Sequence, residues 1–293
     1  MHRFHSMKGS HERWHCLMAD MTTVNGQSAQ SAAVTAAAPI KASPWLLRFA
    51  PRPAARLRLF CFSYAGAGGA MYRTWLDALP PSIELCAVQL PGRENRFREP
   101  AFTSMQRLVE AMVPALSPAL DLPFAFFGHS MGALVAFELA RALHALPHVA
   151  PLTHLLVSGR KAPHLPEDDA PMRGLADDAF IAEIGRRYGG IPDEVLRERD
   201  LLDLLLPGLR ADMTAIETHT HLAGPQLRCP IDAYGGDADP RATAGQLAAW
   251  RDHTQAGARV RTFPGGHFYL NDAGVRASLI RALLSDLHDG PAS

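Results

Sequence analysis

From residue 57 onward, two kinds of apolar pattern alternate along the chain. Apolar runs of strand length occupy residues 57–62, 83–90, 124–128, 153–159, 230–234 and 258–263, and each closes on small or turn-forming residues. Between them lie segments with helical spacing at residues 71–79, 104–120, 131–143, 242–252 and 271–287. Within residues 104–120, Pro114 and Pro118 predict a helix that kinks or ends in its second half. Such alternation predicts an α/β architecture, a mostly parallel central sheet flanked by helices on both faces. Ligands of such sheets bind at the carboxyl ends of the strands.

Two stretches break this rhythm. Residues 1–44 show no sustained period and read as a mobile tail outside the domain formed by residues 45–293. The tail holds His2, His5, His11, His15 and Cys16, but their spacing matches no metal site, and Met18 and Met21 offer alternative starts. The second exception, residues 160–226, contains no strand-like run. Asp177 and Asp178 open an amphipathic helix there; Leu201, Leu202, Leu204, Leu205 and Leu206 then precede Pro207-Gly208, and Leu209, Met213 and Ile216 continue at helical spacing. A helical insertion of this length between sheet strands reads as a lid, whose leucines also pack its own core.

Composition narrows the partners. With 29 basic and 29 acidic residues the net charge is zero, which gives no overall pull towards nucleic acid or acidic membranes. No apolar run reaches the ~18 residues of a membrane span, and the N-terminus lacks a signal-peptide core, so the expected location is cytoplasmic. The four cysteines are scattered, and Cys61, Cys86 and Cys229 sit in or beside strand-like runs, as buried thiols rather than a disulfide frame.

The chemistry centres on Gly128-His129-Ser130-Met131-Gly132, where a strand pattern meets a helical one. The sharp turn predicts a strained backbone at Ser130, with Gly128 and Gly132 letting strand and helix approach, and sets Ser130 above the sheet edge at a helix N-terminus suited to a developing oxyanion. Ser63 to Gly69, directly after the first long strand, is a Gly/Ala loop that exposes backbone N–H groups. It lacks the G-x-G-x-x-G spacing of a dinucleotide fingerprint. Met131 and Ala65 are the candidate oxyanion donors. A serine nucleophile needs a base and an acid to orient that base, in the order Ser, acid, His along such a sheet. Among fourteen histidines, His267 follows a strand and two glycines, whereas His253 lies at a helix end, His288 near the terminus, and His129 inside the elbow, where it reads as structural. For the acid, Asp237 and Asp239 compete, with Asp239 preferred as the one further round the turn.

The set Phe62-Ser63-Tyr64-Ala65-Gly66, Leu90-Pro91-Gly92-Arg93, Gly128-His129-Ser130-Met131-Gly132-Ala133, Gly236-Asp237-Ala238-Asp239-Pro240 and Gly265-Gly266-His267-Phe268 resembles the type II, or editing, thioesterases of nonribosomal peptide and polyketide assembly lines, over residues 57–287. The resemblance implies an α/β-hydrolase fold with a helical lid. It implies hydrolysis of acyl or aminoacyl thioesters on the phosphopantetheine arm of acyl or peptidyl carrier protein domains, clearing misprimed or stalled units. No metal or diffusible cofactor, nucleic acid or membrane partner is implied, and a monomer is expected. Carried over, Ser130 is nucleophile, His267 base, Asp239 orienting acid, and Met131 with Ala65 the oxyanion donors. Ser63 departs from the proline usual in the family, which bears on the stiffness of the oxyanion loop. General carboxylesterases and acyltransferases use the same triad, and a silent carrier-docking module is a further alternative. Arg186, Arg187, Arg197 and Arg199 in the insertion are either a docking face for acidic carriers or a solvated helix face.

Overall fold

The computed structural model describes residues 43–289 apart from 145, 147–148, 168, 190–194 and 196, so the histidines of the tail lie outside the described residues. Seven strands form one sheet: β1 (Leu46–Leu47), β2 (Leu57–Phe62), β3 (Ile83–Val88), β4 (Phe124–His129), β5 (Leu152–Ser158), β6 (Ile231–Gly236) and β7 (Ala258–Phe263), in the order β1-β3-β2-β4-β5-β6-β7. All neighbours run parallel except β1, which is antiparallel to β3. Sequence reasoning missed β1, because two residues are too few to show a period.

The helices are α1 (Met105–Leu116), α2 (Met131–Leu143), α3 (Asp177–Tyr188), α4 (Arg199–Glu217), α5 (Ala244–Ala248) and α6 (Ala273–Asp289). They bury both sheet faces, which is why the central strands read as unbroken apolar runs. Phe60, Phe62, Phe124 and Phe126 point to the face covered by α1 and α2, while Leu59, Cys61, Ala125 and Phe127 pack with Trp75 and with Leu279 and Leu283 of α6 on the other. Side chains alternate between the faces with the period of a strand. Cys61, Cys86 and Cys229 are buried free thiols, and burial pushes the last two up to about 12.

Three expected helices differ in detail. Residues Gly69–Ala78 wind as a 3-10 helix in place of the α-helix expected at 71–79. α1 runs on through Pro114 before a 3-10 turn at Ser117–Ala119; the proline falls in the last turn, where little helix remains to be disrupted, and the Ser117 hydroxyl donates to the Val113 carbonyl at 2.6 Å. The helix expected at 242–252 splits into α5, opened by a Thr243–Gln246 capping box, and a 3-10 turn at Ala249–His253.

α3 and α4 lie between β5 and β6, so the segment without strands is inserted between adjacent parallel strands. α4 passes through Pro207 and lies on the Gly-Arg turn, close enough that a Cβ on Gly208 would sit 2.9 Å from the Gly92 carbonyl oxygen. Among the described residues, no helix is long and apolar enough to cross a membrane.

At the amino end of β2, Arg58 is fully buried, donating to Glu84 at 3.1 Å and to the Ala119 carbonyl at 2.9 Å, and pairing with Asp121. Removing one partner of a buried ion pair leaves the other charge desolvated and under-paired. Glu84→Ala is therefore expected to lower folding stability by about 3 kcal/mol, read as a drop in the urea midpoint.

Candidate active site

β4 ends at His129 and α2 begins at Met131, so the whole turn falls on Ser130, at φ 55° and ψ −114°. A non-glycine residue holds that conformation at a cost of about 1–3 kcal/mol and only when its surroundings leave it no alternative. Those surroundings are backbone: a Cβ on Gly128 would collide with the Gly132 carbonyl, and one on Gly132 with the Phe62 carbonyl. The Ser130 N–H donates to the Ser158 carbonyl at 2.8 Å, pinning the elbow to β5.

The structure brings Ser130, His267 and Asp239 together from three loops at the carboxyl ends of the strands. His267 follows β7 and stands 2.9 Å by its Nε2 from Ser130 Oγ, and 2.9 Å by its Nδ1 from Asp239 Oδ2. A neutral imidazole protonated on Nδ1 satisfies both bonds, donating to the carboxylate and accepting from the hydroxyl. The second oxygen of Asp239, Oδ1, accepts the Arg241 N–H at 2.9 Å. Asp237 turns elsewhere and accepts the Gly265 N–H at 3.0 Å, tethering the glycine loop that carries His267.

Of the two candidate oxyanion donors, Met131 opens α2, and Ala65 lies in a turn closed by the Ala67 N–H on the Tyr64 carbonyl at 3.1 Å. Neither N–H bonds to a protein acceptor among the described residues. Ser63, the departure from the familiar pattern, donates its hydroxyl to the Ala67 carbonyl at 2.8 Å and so braces the same loop.

A thioesterase-domain family model matches residues 57–287. The chain belongs to the thioesterase family. It is 41% identical to the gramicidin S biosynthesis protein GrsT of Aneurinibacillus migulanus, over 78% of this chain and 89% of that protein. To the thioesterase PikA5 of Streptomyces venezuelae it is 44% identical, over 78% and 80% of the two chains. Among solved structures, the type II thioesterase BorB from the borrelidin biosynthetic cluster matches at 34% identity with a TM-score of 0.74, over 86% of this chain and 99% of that one.

Around the Ser130, His267 and Asp239 set of this thioesterase, His129 is buried, its Nδ1 2.8 Å from Ser158 Oγ, which in turn stands 2.7 Å from the Tyr269 hydroxyl. Its ring lies 5.1 Å from that of His267. Burial, with a smaller contribution from the neighbouring His267, pushes the His129 pKa well below the usual histidine range. It is a neutral support beside the triad, in keeping with its expected structural part.

Sequence reasoning missed the clamp on the Ala65–Gly66 loop. Asp212 of α4 is buried; its Oδ2 accepts the Gly66 N–H at 2.8 Å and Arg93 Nη1 at 2.8 Å, while Oδ1 accepts Arg93 Nη2 at 2.7 Å. One bidentate pair thus joins three separate parts of the thioesterase: the Ala65–Gly66 loop, the Gly-Arg turn and the insertion. A signal did exist, since Asp212 falls on the face of the helix that carries Leu209, Met213 and Ile216, where a lone carboxylate needs a buried partner.

Of the insertion's arginines considered as a carrier-docking face, Arg187 is buried, while Arg186 and Arg199 are exposed beside acids. Arg187 donates to Glu183 and to the Ala170 carbonyl, at 2.6 Å in each case. Arg186 donates to Glu183 at 2.7 Å and to Asp169 at 3.4 Å, and together the two guanidiniums hold the Glu183 carboxyl at about 2. Exposed Arg199 stands 3.6 Å from Asp203 of the same helix. Glu183 serves both Arg186 and Arg187 at three and four residues' spacing, and Asp203 lies four residues from Arg199.

Asp212→Ala is expected to cost about 3–5 kcal/mol in folding free energy, because it strands a buried guanidinium; equilibrium unfolding in urea measures it. His129 generates a pH prediction. Its unfolded form takes up a proton near pH 6.5 while the folded form stays neutral, so the stabilisation is complete above about pH 6.5 and declines below it by about 1.4 kcal/mol per pH unit. Urea midpoints between pH 7 and pH 5 are expected to fall more steeply for the wild type than for His129→Gln.

Proposed function

We propose that this thioesterase uses Ser130 to hydrolyse acyl and aminoacyl thioesters presented on the phosphopantetheine arm of acyl or peptidyl carrier proteins, and so removes misprimed or stalled units from peptide or polyketide synthases. One observation carries the chemistry: Ser130 Oγ at a strained elbow and helix N-terminus, 2.9 Å from the base His267, itself 2.9 Å from Asp239. The partner rests on the kinship with GrsT, a gramicidin S biosynthesis protein, with the thioesterase PikA5, and with BorB, a type II thioesterase from the borrelidin biosynthetic cluster.

In the first half-reaction, Ser130 Oγ attacks the thioester carbonyl as its proton passes to His267 Nε2. The N–H groups of Met131 and Ala65 receive the oxyanion, and Asp239 stabilises the imidazolium and holds its tautomer. The tetrahedral adduct collapses with loss of the pantetheine thiol, which takes the proton back from His267. Water then attacks the acyl-serine with His267 again as base, releasing the acid and restoring Ser130. The phosphopantetheine belongs to the substrate, and these steps call for no resident cofactor. α3 and α4 act as the lid, resting on the oxyanion loop through Asp212.

The deciding comparison sets acetyl-loaded carrier protein beside a free acyl-pantetheine mimic and a p-nitrophenyl ester. Fastest release is expected from the carrier, with Ser130→Ala lowering turnover by at least about 10³-fold and Asp239→Asn by a comparable factor. Preference for the free ester would make the protein a general esterase and remove the carrier from the reading.

A further inference from the structure

The catalytic groups are almost sealed from solvent: Ser130 is 7% exposed, His267 5% and Asp239 3%. Among the described residues, the rings packed on His267 are those of Phe268 at 5.0 Å, His129 at 5.1 Å and Tyr188 at 5.1 Å. Phe268 and His129 adjoin catalytic residues in sequence, whereas Tyr188 is the last residue of α3 and reaches the base from the insertion.

Charge holds Tyr188 in place. Arg241 lies over its ring, with Cζ 5.4 Å from the ring centre, within reach of a cation–π attraction. The same guanidinium pairs with Asp169 and, at 3.5 Å, with Glu167. Asp169 also takes Arg186 of α3 at 3.4 Å, and Arg187 of α3 donates to the Ala170 carbonyl. The end of α3 is therefore fastened to the segment after β5, and through Arg241 to the loop after β6. The Arg241 N–H is the group that fixes Asp239 Oδ1 at 2.9 Å. A single residue thus steadies the acid through its backbone and the cover on the base through its side chain.

We propose that Tyr188, clamped by Arg241, determines how large an acyl group can reach Ser130, an inference that rests on Ser130 being the nucleophile. Any carbon bonded to Ser130 Oγ sits beside His267, whose Nε2 is 2.9 Å from that oxygen, and the Tyr188 ring packs 5.1 Å from the same imidazole. Small groups fit beside the phenol. Larger ones require the ring to leave His267, which breaks the contact with Arg241.

Two phosphonofluoridates, one with a methyl and one with an octyl group on phosphorus, test this on the full chain. Ser130 Oγ forms the O–P bond as the P–F bond breaks, the serine proton passes to His267 and fluoride leaves; intact mass gives the labelling rate. The octyl-to-methyl ratio cancels any general change in the basicity of His267. Tyr188→Ala is expected to raise that ratio about fivefold or more and Arg241→Met about twofold, while Tyr188→Phe, which keeps the ring, leaves it within about twofold of the wild type. An unchanged ratio in Tyr188→Ala overturns the proposal, and an unchanged ratio in Arg241→Met alone removes the clamp from it. Should Tyr188→Ala fail to fold, Tyr188→Leu carries the same expectation. Labelling reads access to Ser130 whatever the natural leaving group, so this result is separable from an ester preference in the carrier assay.

Discussion

Backbone pressed against backbone at the Ser130 elbow is the constraint on which the rest of the site depends. Gly132 touches the Phe62 carbonyl and Gly128 the Gly132 carbonyl, contacts that no side chain could share. This proximity puts the N-terminus of α2 directly against the end of β2. The turn that carries Ser130, the Met131 N–H and the start of the Ala65 loop are therefore set by contacts between backbone segments. Strain at Ser130 is sustained by the parallel sheet on both sides of β4, buried by aromatic and aliphatic side chains on each face. A rigid sheet of this kind keeps a 2.9 Å hydrogen bond to His267 in register although the two residues are 137 positions apart.

The insertion is joined to that scaffold by charge, buried in one place and half-buried in another. Asp212 meets Arg93 and Gly66, and Arg241 meets Asp169 and Tyr188, so the inserted helices touch the Ala65–Gly66 loop at one place and the surroundings of Asp239 and His267 at another. Charge-assisted bonds of this type are directional, and they fix where a helix sits more closely than apolar packing alone. Apolar contacts from Leu206, Met213 and Ile216 supply the bulk of the burial, while the ion pairs set the alignment. For a thioester, whose acyl carbon is already activated, alignment and access weigh as much as the power of the nucleophile.

Whatever depends on local backbone chemistry is legible in the residues alone. Gly128, Ser130 and Gly132 between a strand pattern and a helix pattern describe the elbow, because only glycines admit that approach. Alternating apolar periods describe six of the seven strands and a parallel sheet, and the order Ser130, acid, His267 follows from where the loops fall. Tertiary structure alone showed which of Asp237 and Asp239 meets His267. They lie two residues apart on one turn, and the pairing of β6 with β7 sets Gly265 against the first and His267 against the second. It alone revealed the partners of Asp212, Arg93, Arg186 and Arg187, since a charged side chain's partner is a matter of three-dimensional proximity between distant segments, which no periodicity records. It also decided that Tyr188, distant in sequence from Ser130, Asp239 and His267, packs against the His267 ring.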